Sequence, residues 1–351
     1  MGIHPNQMAV TFMHRSFSLV LALGLFVAPA LHAQRSLNPL SWFENATGVS
    51  TTLASSAQAD SAAIHLEIAR EKYQAGHLSA ASRTLKKVIK GSPTSAAAAQ
   101  ALHLQGLIYM AKERWKKGFD SLQRVIKEHP SYEHFDQITS SQFDCATALM
   151  EGARGRILWV FPGFKQYDTA AKQFEQIVSN APYSDYAPLA LMNIALVSET
   201  REEPEEAIDA LDRLINYYPQ SMLAPDAYYN LAQTYSNLVQ GEEYDQGSTR
   251  QAISYYEDFL ILFPTSNYTG EVEAHLKQME NLLASSRLNL GNFYYYFRSN
   301  NTAALVFYNE AITIAPDSEA AAEARNRIKD IEAGVRPTNK ASLLRKLLMA
   351  D

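Results

Sequence analysis

The sequence predicts an all-α solenoid of helix-turn-helix repeats, about six of them, closed by a C-terminal capping helix. Three observations predict it. Pro93, Pro130, Pro182, Pro219, Pro264 and Pro316 each close an apolar-periodic stretch, at intervals of 37, 52, 37, 45 and 52 residues. Five of the six stand in one tripeptide: Pro93-Thr94-Ser95, Pro182-Tyr183-Ser184, Pro219-Gln220-Ser221, Pro264-Thr265-Ser266 and Pro316-Asp317-Ser318. Small and bulky residues also recur at fixed offsets before each proline. A proline cannot continue the helix before it, and the serine two residues on offers its side-chain oxygen to the unpaired amides of the next helix.

The offsets match the tetratricopeptide pattern, which has a small residue in the first helix, alanine early in the second, a bulky residue four later, and proline at the end. Before Pro93 these are Ala69, Ala81, Leu85 and Val88; before Pro130, Gly106, Tyr109, Gly118, Leu122 and Val125. Before Pro182 they are Ala170, Phe174 and Ile177, and before Pro219, Ala195, Ala207, Leu211 and Leu214. Pro264 is preceded by Ala252, Tyr256 and Phe259, with Ala232 and Tyr235 upstream across a longer loop. Pro316 is preceded by Ala304, Tyr308 and Ala311, with Gly291 and Tyr294 one residue out of register. Small residues let two helices approach, and bulky ones fill the seam to the next unit.

Each remaining stretch has its own reading. His14 and Arg15, the apolar run from Phe17 to Val27, and the small residues up to Ala33 describe a secretory signal peptide over 1–33. Met8 and Met13 are alternative starts that leave this signal intact. The run falls short of the roughly 20 apolar residues a membrane-spanning helix needs. Residues 34–60, rich in Ser, Ala, Thr and Asn, read as a mobile linker, and 61–335 as the repeat array. Insertions fall at Ile157–Phe164, where Trp159, Phe161 and Phe164 are expected to tuck back onto the array, the alternative being an exposed docking knob, and at Gln240–Gly247. A long helix is expected from about Glu271 to Phe297, and the capping helix from Glu319 to Ala333. Residues 336–351 form a basic amphipathic tail whose composition fits docking on a partner, contact with a membrane surface, or a frayed end.

Composition excludes several classes. Hydrophobic residues make up 47 %, with 15 Gly and 14 Pro, which is neither disordered nor fibrous. The single cysteine, Cys145, excludes an internal disulfide and a Cys-based metal site, and no cysteine follows the apolar run to carry a lipid. Cys145 reads as a buried, inert thiol. There is no His-Glu-x-x-His pair, nucleophile elbow or phosphate-cradling loop, so no enzyme, metal or cofactor is expected. His129 and His134 read as surface residues, the other histidines as scattered, and Glu202-Glu203-Pro204-Glu205-Glu206 as a favourable helix start. Nucleic acid is not an expected partner of an exported, acidic chain of net charge −6.

Charge is segregated along the array. Residues 61–130 hold twelve Lys/Arg against five Asp/Glu, and residues 183–282 hold four against seventeen. Two ends of opposite sign suit two different partners. The simpler reading is that Lys86, Lys87, Lys90, Lys116 and Lys117 only solvate an outer helical face. In such arrays the first helices of the repeats line the ligand groove. The register directs Leu66, Arg70, Tyr73, His103, Leu107, Met110, Tyr229 and Gln233 there, where they would suit an extended peptide with alternating apolar residues; the alternative is that several of them only pack neighbouring helices.

The Pro-x-Ser-x-x-Ala joint, the enlarged pitch and the signal peptide together resemble the BamD family of outer-membrane assembly proteins. The resemblance covers about residues 62–333 and is strongest at Ala181–Ala190 and at Gly291-Asn292-Phe293-Tyr294-Tyr295-Tyr296. It implies a non-enzymatic periplasmic scaffold, peripheral to the outer membrane, that contacts a barrel-assembly component and incoming barrel precursors. Members usually carry a lipidated cysteine at the mature N-terminus. This sequence has none there, so membrane association is expected to be indirect. The same joint occurs in periplasmic repeat proteins that coordinate envelope constriction or peptidoglycan-associated complexes, the alternative reading; residues 34–60 lack the heptads expected of those.

Overall fold

The computed structural model describes residues 56–152, 156–157, 161–162, 166–239 and 246–335. These contain thirteen helices: α1 (Ser56–Gln74), α2 (Leu78–Gly91), α3 (Ala96–Ala111), α4 (Trp115–Glu128), α5 (Phe135–Met150), α6 (Tyr167–Asn180), α7 (Tyr186–Thr200), α8 (Pro204–Tyr217), α9 (Ala224–Leu238), α10 (Gln246–Leu262), α11 (Thr269–Tyr296), α12 (Asn301–Ile314) and α13 (Glu319–Glu332). They pair as α1–α2 through α11–α12, six helical hairpins, with α13 packed on α11 and α12 at the end. Contacts run to the next helix and, between first helices, from α1 to α3, α3 to α5 and α5 to α7. That nearest-neighbour packing is the signature of a repeat solenoid.

The offsets read from the sequence mark the core. Ala69, Ala81, Leu85, Leu122, Ala170, Phe174, Ala207, Leu211, Ala252, Tyr256, Ala304 and Tyr308 are all fully buried. Each large apolar side chain so buried contributes roughly 1.5–3 kcal/mol. At Gly106 and Gly291 the helices meet so closely that a Cβ would lie 2.8 Å from Leu122 and 2.5 Å from Tyr308. Between the two helices of four hairpins the chain passes through a left-handed residue. Gly76 (φ 75°) supplies it in the first repeat, but Glu113 (55°), Glu202 (59°) and Ser299 (49°) supply it elsewhere, at the steric cost a Cβ brings to that region.

All six joints share one backbone turn. The N–H three residues past the joint's first residue returns to that residue's carbonyl: Ser95 to Ser92, Tyr132 to His129, Ser184 to Ala181, Ser221 to Tyr218, Ser266 to Phe263 and Ser318 to Ala315, at 2.9–3.1 Å. Proline occupies the second position of each turn, where its fixed φ is favoured. The expected serine caps form at two joints only: Ser95 Oγ accepts from the Ala98 N–H and Ser318 Oγ from the Ala321 N–H. Ser184, Ser221 and Ser266 do not cap. There the helix starts later, behind Asp185, Leu223 and Tyr268. Ser221 and Ser266 accept instead from the N–H two residues on, and the Ser184 hydroxyl donates to the Ala181 carbonyl. The capped joints continue with Ala or Glu, whereas the others carry bulkier or turn-forming residues before the helix.

The long helix and the final helix lie where they were expected. Helix α1 begins at Ser56, five residues before the expected start of the array. The insertion after α5 contains β1 (Arg156–Ile157) and β2 (Phe161–Pro162), an antiparallel pair in which Ile157 faces Phe161. The second insertion is shorter than read, because α10 already starts at Gln246. The signal segment, the linker to residue 55, the side chains of Trp159, Phe161 and Phe164, and the tail 336–351 lie outside the described residues.

Candidate partner-binding surface

The first helices of successive hairpins place two polar clusters along one series of helices. In the first, the Arg70 guanidinium of α1 donates to Gln100 Oε1 of α3 at 2.8 Å and to Glu67 at 3.0 Å. His103, one turn past Gln100 on α3, has Nδ1 3.1 Å from the Tyr132 hydroxyl, with the two rings edge to face. Tyr132 meets His134 in the same manner, 5.4 Å between centroids. Burial, with a smaller contribution from the charge of His134, holds the His103 pKa down to about 3. Burial likewise raises the Tyr132 and Tyr73 phenols. The arrangement fixes the Arg70 guanidinium at the seam of α1 and α3, paired with Glu67 and Gln100. A guanidinium so oriented suits a carboxylate or a row of peptide carbonyls.

The second cluster joins α9 to α11. Tyr229 donates its hydroxyl to Glu271 at 2.7 Å, accepts from Gln233 at 3.0 Å, and stacks on Tyr268 with ring centroids 5.2 Å apart and 7° between planes. His275 also stacks on Tyr229, 6.3 Å between centroids. Burial raises the Asp226 carboxyl, opposed by a hydrogen bond from Tyr268, and burial also raises the Tyr229 phenol, helped by its bond to Glu271. This end is aromatic and acidic where the other is cationic.

The eight residues read from the sequence divide in two. Leu66, His103, Leu107 and Tyr229 are buried, at 4, 0, 8 and 9 % exposure. His103 lies against Tyr132, and Tyr229 against Tyr268 and Glu271. Arg70, Tyr73, Met110 and Gln233 are half-buried and reach the surface. The first five of the eight and Met110 belong to α1 and α3, and Tyr229 and Gln233 to α9, so they form two groups. His129 and His134, read as surface residues, are half-buried, and His134 packs on Tyr132. Lys86, Lys87, Lys90, Lys116 and Lys117 are all exposed. Cys145 is buried beneath Gly118, and burial raises its thiol far above the usual range.

Sequence reasoning missed Gln100, Tyr132, Asp226, Tyr268 and Glu271. One signal was available: an aromatic residue in the joint just before a first helix, as at Tyr132 and Tyr268. Among the described residues no group of His, Cys, Asp and Glu could hold a metal ion, and no helix is long and apolar enough to cross a membrane.

Hairpins joined by proline turns, with polar clusters on their first helices, define a tetratricopeptide-repeat protein, and residues 66–133 match the tetratricopeptide-repeat family model. The second half specifies more: residues 164–341, half of the chain, match the model of the outer membrane lipoprotein family YfiO, and the chain belongs to that family. It is similar to the outer membrane protein assembly factor BamD of Rickettsia prowazekii, 28 % identical over 148 residues, covering 42 % of this chain and 59 % of the relative. The Caulobacter vibrioides assembly factor BamD is 23 % identical over 140 residues, 40 % of this chain and 45 % of the relative. The chain thus spans about half the length of these relatives. Among solved structures it resembles MamA of Desulfovibrio magneticus, with 15 % identity and a TM-score of 0.31 over 59 % of this chain and 98 % of that one.

Proposed function

We propose that this chain is a periplasmic scaffold, peripheral to the outer membrane, that holds extended segments of outer-membrane β-barrel proteins and a component of the machinery that assembles them. It works by binding and catalyses no reaction. The observation that carries this reading is the family match over residues 164–341, together with relatives named as assembly factors. The chemistry of the first helices supports it. Arg70 offers charge-assisted hydrogen bonds to an extended backbone or a terminal carboxylate, Tyr73 and Met110 offer apolar contact, and Gln233 offers an amide that can donate and accept. An extended strand, with its exposed N–H and C=O groups and alternate apolar side chains, uses all three.

The test is a crosslinking pull-down of the tagged mature protein from envelope fractions, with partners identified by mass spectrometry. The expected result is recovery of a barrel-assembly protein together with unfolded barrel precursors. Recovery of division or peptidoglycan-associated proteins in their place would overturn the function and leave the fold intact.

A further inference from the structure

Helix α2, the second helix of the first hairpin, is strictly divided between two faces. Ala81, Thr84, Leu85, Val88 and Ile89 are buried, while its exposed side chains are Ser79, Arg83, Lys86, Lys87 and Lys90. The helix holds no acid. Arg83 Nε donates to the Ser79 carbonyl at 3.3 Å, and none of the four cations pairs with a carboxylate among the described residues. The turn of the second hairpin meets the start of α2, where Lys112 Nζ donates to Ser79 Oγ at 2.9 Å. The exposed Arg114, Lys116 and Lys117 follow that contact within five residues.

Solvation alone does not account for this pattern. Arg83–Lys86 and Lys87–Lys90 stand three apart, Arg83–Lys87 and Lys86–Lys90 four apart, and like charges at these spacings oppose a helix. On α4, by contrast, Arg124 is matched four residues on by Glu128, at 2.7 Å. The same register positions elsewhere are acidic. Counted back from the joint proline, Lys86 and Lys87 correspond to Glu257 and Asp258 of α10, and Arg83 and Lys86 to Asp209 and Asp212 of α8. The fold accepts either sign there, so the single sign on α2 points to a counter-charged surface outside the molecule. That surface needs no shaped anchor. No exposed large apolar side chain lies between residues 69 and 182 among the described residues, whereas protein partners are held by buried aromatic and apolar anchors, with lysine depleted. An array of anionic lipid headgroups requires charge alone.

We infer that α2 lays its cationic face on an anionic phospholipid surface, a direct membrane contact where the sequence alone suggests an indirect one. This contact presupposes the peripheral location proposed above and is independent of what the first helices bind. It relieves the repulsion among the four cations. Held by charge, it is reversible and weakens as salt screens it.

The test is co-sedimentation of the mature protein with vesicles of two parts phosphatidylcholine to one part phosphatidylglycerol. The expected result is binding to these, none to pure phosphatidylcholine, and release in high salt. Lys86→Gln with Lys87→Gln and Lys90→Gln weakens binding about a hundredfold, roughly fivefold per lysine. Lys172→Gln with Lys277→Gln and Lys329→Gln removes the same charge from exposed sites on α6, α11 and α13 and changes binding less than about twofold. Circular dichroism checks that the helices persist in both variants. Equal binding to neutral vesicles, equal loss in the two variants, or no binding to the anionic vesicles would each overturn the assignment. Tighter binding to soluble polyglutamate than to the anionic vesicles would overturn it too, and would give the face to an acidic protein. Both variants still recover barrel proteins in the pull-down above, so this contact and the scaffold role fail separately.

Discussion

The closest approaches between helices depend on single atoms. At Gly291 a methyl group would sit 2.5 Å from Cε1 of the fully buried Tyr308, whose hydroxyl is held by Asn292. The ring has nowhere to move, so Gly291→Ala is predicted to destabilise the last hairpin by about 1–3 kcal/mol, the usual range for overpacking; urea denaturation measures it. His103 gives a pH signature. Its pKa is held near 3 in the folded chain against about 6.5 unfolded, so the unfolded chain binds the proton first as pH falls. Its contribution to stability is therefore present above about pH 6.5 and is lost progressively between there and about pH 3. Thermal melts of the native chain and of His103→Gln should diverge in slope across that window, the variant losing less stability with acid. Parallel slopes would show that the site does not hold the imidazole neutral.

At the scale of elements, hairpins are tied by packing and, in one place, by a buried amide network. Gln123 Oε1 of α4 accepts from Gln142 of α5 and from Asn180 at the end of α6, each at 2.7 Å, and its own amide donates back to Asn180 at 3.2 Å. Gln123→Leu strips two donors of their acceptor in a dry seam. It should cost about 1–3 kcal/mol, whereas Lys87→Ala on the exposed side of α2 should leave the denaturation midpoint unchanged. An equal effect of both would mean the network is not coupled to folding. This network was invisible in the sequence, because Gln123 and Gln142 sit at no offset of the repeat and become partners only once α4, α5 and α6 stack. The repeat itself was legible. Ala81, Leu85, Tyr308 and their equivalents recur because every hairpin meets its neighbour in the same way. The serine caps were half legible: the shared turn is set by proline and backbone, which the tripeptide encodes, but whether the serine caps depends on the residues that follow it.

Along the array charge is segregated, with a surplus of seven positive charges in residues 61–130 and thirteen negative ones in residues 183–282. Charge of that kind is additive along the chain and is read directly from composition. The binding residues are not. Leu66, His103, Leu107 and Tyr229 stand in the register the sequence assigns to the groove, yet they are buried, while Arg70, Tyr73, Met110 and Gln233 on the same three helices are half-buried. Glu271 and Tyr268 entered the candidate surface only through the fold, which brings them to Tyr229 across roughly forty residues. The most direct test of the central claim is photocrosslinking in intact envelopes, with the reactive group placed in turn at Met110, Gln233 and Lys87. The account predicts that Met110 and Gln233 capture unfolded barrel segments or an assembly component while Lys87 captures neither. Capture of the same partners from Lys87, or of no outer-membrane protein from Met110 and Gln233, would contradict it.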